Sequence, residues 1–156
     1  MNEFAKYDST QSEKKTSALP LGLTYLRDIK IMPPKFLIEK ILPLNCLIGV
    51  VGPSYTYKTF LMLDMALCIA AKVPFNDFVV KQGTVIYVAG EGRIGTAQRI
   101  EAWCIKHSQN RDELPFILSQ TAINFRDIET IKLLKTIHEQ VDDISLIVID
   151  TLNRNS

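Results

Sequence analysis

Cysteine and histidine are scarce in this sequence, with three cysteines and two histidines among 156 residues. Cys46, Cys68 and Cys104 are odd in number and show no C-x-x-C spacing, which excludes the usual zinc and dithiol arrangements. They read as buried free thiols in a reducing compartment. His107 and His138 are isolated on predicted helix ends, without a cysteine or carboxylate at ligand spacing, so solvated or capping roles are expected and no structural metal. An excess of one charge is also missing. Lys and Arg total 18 against 17 Asp and Glu, a formal net charge of +1, and composition therefore provides no global basic field for nucleic acid. The longest apolar run, Phe60 to Ala71, is broken by Asp64 and is too short to cross a bilayer as a helix. The opening MNEFAKYDSTQSEKKTSA has neither the apolar core of a signal peptide nor the acid-poor, Arg-rich character of a transit peptide. A cytoplasmic location is the default expectation, with no membrane partner.

What is present suits one soluble core, with 47% hydrophobic and 22% charged residues. Residues 1–18 lack hydrophobic periodicity and are expected to form a disordered arm ahead of a domain over 19–156. Its first part, 20–44, is punctuated by Pro20, Pro33, Pro34 and Pro43. Cys46 to Val51 is a nearly unbroken apolar run of strand length, as in a parallel strand covered on both faces. A helix is predicted over Lys58 to Ala71. After a turn at Gln82-Gly83, the β-branched run Thr84 to Ala89 predicts a second strand, ended by Gly90-Glu91-Gly92. Ala97, Ile100 and Cys104 at helical spacing predict a helix from about Thr96 to His107, with Trp103 packed in the core. Pro115 to Leu118 reads as a short peripheral strand. Asp127 is placed to cap a helix through Ile128, Ile131, Leu134, Ile137 and Val141. Last comes Leu146-Ile147-Val148-Ile149-Asp150, read as a buried parallel strand with one acid at its carboxyl end.

Alternating strands and helices argue for an α/β fold with a mostly parallel sheet, in which ligands bind outside the carboxyl ends of the strands. Three chemically marked sites fall there. The first is LIGVVGPSYTYKTF, residues 47–60, where an apolar run enters a loop that opens a helix. It satisfies G-x-x-x-x-G-K-[ST] at Gly52, Lys58 and Thr59 but carries Tyr57 where the last glycine belongs. In such a loop backbone N–H groups wrap a phosphate, the helix N-terminus adds partial positive charge, the lysine reaches the terminal phosphates and the hydroxyl meets Mg²⁺. The candidate nucleotide-binding segment is therefore Gly52, Pro53, Ser54, Tyr55, Thr56, Tyr57, Lys58, Thr59 and Phe60. A non-glycine residue forced to positive φ in it would store about 1–3 kcal/mol. The bland alternative is an ordinary strand–turn–helix joint with a solvated lysine.

Asp150, after four aliphatic residues, is the second site, and with Thr59 it is a candidate Mg²⁺ carboxylate, the alternative being a cap for the next turn. Glu91 between two glycines is the third. It is positioned to activate water for attack on a γ-phosphate or to be a solvated turn residue, with nothing in the residues themselves to choose.

Taken in order, GPSYTYKTFLMLDMALCIA, VIYVAGEGRIGTAQRIEAW and LIVIDTLNR resemble the RecA-like P-loop ATPases of the RepA hexameric helicase type, the AAA_25 family. FLIEKILPLNCLIGVVGP and VVKQG extend the likeness to about residues 36–154. The resemblance implies a three-layer RecA-like fold that binds ATP and Mg²⁺, with Gly52, Ser54, Thr56, Lys58 and Thr59 on the nucleotide, Lys58 and Glu91 catalytic, and Asp150 on the metal. Glycine is frequent in the family at the position of Tyr55. The resemblance also implies further strands after Asp150, the first of them between the strands ending at Gly52 and Asp150. On that reading the chain is the amino-terminal portion of such a domain, with carboxyl-terminal strands missing. Intact relatives assemble as hexamer-like homo-oligomers and act on DNA in replication, so a DNA partner is expected only for a full-length protein. A neighbour's arginine completes such sites, worth about 10³–10⁵ in rate, so hydrolysis by this chain is expected to be weak or absent. The alternative is a non-catalytic nucleotide-binding or interaction fragment that associates with a full-length homologue.

Overall fold

The computed structural model describes residues 23–30, 33–90, 93–119 and 128–150. The chain divides into two units, residues 1–33 and 34–156. The described part of the first is a single 3-10 turn, Leu26–Asp28, beside which the Arg27 guanidinium lies 4.8 Å from the centre of the Tyr25 ring. The expected arm over 1–18, the Asp127 cap, Glu91 and Gly92 lie outside the described residues.

The second unit begins with a hairpin, β1 (Phe36–Ile38) and β2 (Leu42–Pro43), in antiparallel register. Leu37, Ile38 and Leu42 are buried and join the main core. The hairpin is pinned by the chain just before the central strand, through Glu39 N–H to Val79 O and Lys81 N–H to Leu37 O.

Helix α1 runs Lys58–Ala71. It closes at Lys72 in the left-handed conformation (φ 57°), where Lys72 and Val73 return their N–H groups to Ile69 O and Cys68 O. Leu63 and every residue from Met65 to Ala70 are buried. Strand β3 runs Thr84–Ala89, so both predicted elements have the bounds expected of them. Its four middle residues are buried in succession, which requires cover on both faces of the strand. Gly83 leads into it because a Cβ there would collide with Oγ and Cβ of Ser145.

Helix α2 (Arg93–His107) starts three residues before the expected position, β4 (Phe116–Leu118) follows, and then come α3 (Ile128–Gln140) and β5 (Ile144–Asp150). The three later strands form one parallel sheet in the order β4-β3-β5. The fold is α/β with a parallel sheet, as the alternation of elements implied. Val85, Tyr87 and Val148 on one face of the sheet meet α1 and the Ile100, Trp103 and Cys104 positions of α2 in a single core. Trp103 is core, as expected, and donates from Nε1 to Asp64 Oδ1 at 2.6 Å, tying α2 to the middle of α1.

Several expectations are corrected. Cys46–Val51 is no strand. No residue of this run enters a sheet or a backbone hydrogen bond among the described residues, and Leu47 and Val51 are 100% and 95% exposed. A parallel strand needs a neighbour for its N–H and C=O groups, and β5 ends the described sheet without meeting this segment. For the same reason β5 is less buried than expected. Val148 is buried while Ile147 is 41% exposed. Cys46 shares the exposure of its segment, whereas Cys68 and Cys104 are buried. His107 stacks on Trp103 with ring centres 4.1 Å apart, a packing role rather than a solvated one. No helix among the described residues is long and apolar enough to cross a membrane.

Candidate functional site

The site is built where α1 begins. Tyr57, the N-cap of α1, has φ 59° and ψ 20°, makes no side-chain cap, and is followed by a first turn without an acidic residue. The leading N–H groups of α1 are thus left without a side-chain cap, and its partial positive charge faces the loop uncancelled. Tyr55 is also left-handed, at φ 65°. Each such tyrosine costs about 1–2 kcal/mol more than a glycine in the same conformation. The condition under which a non-glycine residue in this loop stores strain is thus met at both tyrosines, including the one that stands where the motif has its last glycine.

Gly52 sits where a Cβ would come within 3.2 Å of Thr56 Oγ1, a tight contact from which that side chain would have to yield by a few tenths of an ångström, and 3.7 Å of Lys58 Cδ. Lys58 Nζ donates to Gly52 O at 2.9 Å and Pro53 O at 2.6 Å, and lies 3.4 Å from Thr56 Oγ1. Thr56 Oγ1 in turn donates to Pro53 O at 2.8 Å. The loop is therefore wound around an ammonium group. Tyr57 meets Phe60 edge to face at 6.0 Å, and the Arg99 guanidinium of α2 lies 4.6 Å from the centre of the Phe60 ring.

The second half of the site comes from the sheet. The register of β3 on β5 pairs Tyr87 with Val148 and Ala89 with Asp150, which places Asp150 at the carboxyl end of its strand. Thr59 Oγ1, in the first turn of α1, donates to Asp150 Oδ1 at 3.2 Å. Tyr87 Oη donates to Asp150 Oδ2 at 2.8 Å. Tyr87 is fully buried and stacked on Phe116 of β4, ring centres 5.9 Å apart. Burial first, then the hydrogen bond and charge of Asp150, raise its hydroxyl above the ordinary tyrosine range, with Arg99 opposing.

Gly52, Pro53, Ser54, Tyr55, Thr56, Tyr57, Lys58, Thr59 and Phe60 thus form one continuous loop and helix start, and Asp150, 91 residues after Thr59, is brought against it. Glu91 lies outside the described residues. Tyr87 and Arg99 were not singled out from the sequence. The available signal for Tyr87 was a tyrosine two residues before the end of an otherwise aliphatic strand.

A protein-family model described as "AAA domain", AAA_25, matches residues 15–155. The chain belongs to the AAA_25 family. No curated protein and no solved structure matches it. An AAA_25 domain is a nucleotide-binding ATPase module, and the family uses ATP with Mg²⁺. The residues of this AAA_25 domain fit that pair. Gly52 lets the loop close up on Thr56 and Lys58, the helix N-terminus has no side-chain cap, one lysine is gathered into the loop, and a hydroxyl and a carboxylate stand side by side for a hard cation.

Proposed function

We propose that this AAA_25 domain is the ATP-binding module of a RepA-type DNA helicase or replication ATPase, with Lys58 on the terminal phosphates and Thr59 and Asp150 on Mg²⁺. The observation that carries the reading is the 3.2 Å hydrogen bond from Thr59 to Asp150, which joins the loop and the strand-end carboxylate into one site. The loop amides and the start of α1 bind and orient the phosphates, and Lys58 exchanges its carbonyl partners for phosphate oxygens. Bound Mg²⁺ supplies neutralisation of phosphate charge. Glu91, following β3, activates the attacking water in the same reading, and a neighbouring subunit of a hexamer-like assembly supplies an arginine. ATP binding is expected of this chain, and hydrolysis only in an assembly.

Thermal unfolding with and without Mg-ATP, beside Lys58→Ala, tests this. A ligand at 100 times its dissociation constant adds about 2.7 kcal/mol of stability. A raised transition in the parent chain and none in Lys58→Ala is the expected result. No response in the parent chain would remove the proposal.

One observation favours a second reading. The apolar run entering the loop is exposed, with Leu47, Ile48, Val50 and Val51 unpaired among the described residues. Such a segment suits a non-catalytic nucleotide-binding partner that associates with a full-length homologue, and co-purification of a mixture of the two would distinguish it.

A further inference from the structure

The geometry points to Tyr87 as a positioning residue that holds the Asp150 carboxylate for Mg²⁺, an inference that rests on the nucleotide-site reading above. Asp150 accepts from two sides: Thr59 Oγ1 reaches Oδ1 at 3.2 Å and Tyr87 Oη reaches Oδ2 at 2.8 Å. The two donors differ in kind. Thr59 belongs to the phosphate loop's helix and is itself a candidate for the cation. Tyr87 belongs to the central strand, is fully buried, and has its ring fixed against Phe116. Its position on β3 follows from the sheet register. Tyr87 is paired with Val148, and Asp150 is two residues further along the same strand on the same face. A buried hydroxyl diagonal to a strand-end acid is thus held by neighbours on both sides, and cannot follow the loop if the loop moves.

The consequence for binding is directional. With Oδ2 anchored to the sheet, the carboxylate keeps its rotamer whether or not the loop is engaged, and Oδ1 stays turned toward Thr59. Outer hydrogen-bond partners that orient a metal-associated carboxylate are worth about 10–100-fold in metal affinity. A tyrosine that merely satisfies a buried polar group would instead influence the unfolding temperature and leave the cation requirement unchanged.

The test is the Mg²⁺ dependence of ATP binding, read as the rise in unfolding temperature at fixed saturating ATP while Mg²⁺ is titrated from a chelated start. Tyr87→Phe removes one oxygen. The expected result is a Mg²⁺ midpoint about 10-fold or more higher, with the response to ATP in chelator unchanged. A midpoint equal to that of the parent chain would overturn the proposal while leaving the nucleotide site standing. A parent chain that answers neither ATP nor Mg-ATP would remove both. A second measurement keeps the binding segment intact. In the parent chain labelled at tyrosine Cζ, the signal that Tyr87→Phe deletes should move when Mg²⁺ joins the ATP complex and should be displaced by Asp150→Asn. If no tyrosine signal responds to either, Tyr87 does not position the carboxylate.

Discussion

A left-handed backbone is open to glycine at no steric cost and closed to most other residues, and the loop before α1 places tyrosines there twice, at φ 65° for Tyr55 and 59° for Tyr57. The two are not equivalent. Tyr57 recovers part of its strain through its edge contact with Phe60, whereas the Tyr55 side chain is 98% exposed, with no ring contact or hydrogen bond to repay it among the described residues. Replacing Tyr55 by glycine relieves about 1–2 kcal/mol of strain and gives back about 0.5–1 kcal/mol through the freer unfolded chain. Tyr55→Gly is therefore expected to stabilise the protein by about 0.5–1 kcal/mol, and Tyr57→Gly by less. Denaturant midpoints at unchanged slope would show this. A destabilised Tyr55→Gly chain would mean that the loop holds this conformation for a reason the tyrosine itself supplies. Lys58 and Thr59 could be marked as candidates from spacing because the pattern that proposes them is local in sequence. The contact of Tyr87 with Asp150 could not, since it depends on which strand lies beside β3.

Between elements, the contact of α1 with α2 is polar at its centre. Asp64 Oδ1 accepts from Trp103 Nε1 at 2.6 Å, and the Cys68 sulfur lies 3.9 Å from the same oxygen. Burial, then the charge and hydrogen bond of Asp64, push the Cys68 thiol from 9.0 up to about 12, with Lys106 opposing. A thiol whose folded pKa is raised stays protonated in the folded chain while the unfolded chain releases its proton, so its contribution to stability is full below pH 9.0 and is lost as pH rises toward about 12. Tyr87 is shifted in the same direction and adds to the loss. Stability is thus expected to fall steadily above pH 9.0, and Cys68→Ala should flatten part of that fall. Denaturant curves at a series of alkaline pH values, parent against variant, provide the check, and parallel curves would contradict the assigned cause. The same environment makes Cys46, which is exposed, the thiol expected to react with a disulfide reagent before the two buried ones.

Across the molecule, the elements legible in the sequence are those whose signals are internal. Helix α1 announces itself by Lys58-Thr59 and an apolar run, and β3 by five aliphatic or aromatic residues after Gly83. The run Cys46–Val51 has the same composition as a buried strand, yet strand pairing is a property of two segments, and the described sheet ends at β5 without reaching it. What results is an exposed apolar stretch, with Leu47 and Val51 almost fully exposed, close in sequence to the start of α1, whose Thr59 does touch the end of β5. The stretch's N–H and C=O groups have no backbone partner among the described residues, and beside apolar side chains such groups form a template for pairing with another chain. The protein is therefore expected to associate in a concentration-dependent way. Lysine at both Leu47 and Val51 should shift it toward monomer at unchanged unfolding temperature, because neither side chain contributes burial to the fold. Sedimentation velocity over a concentration series distinguishes the outcomes. Association that survives both substitutions would place the contact elsewhere. Association lost together with the cooperative unfolding transition would show that this segment is held by the fold after all, and that its exposure understates its part in positioning Gly52.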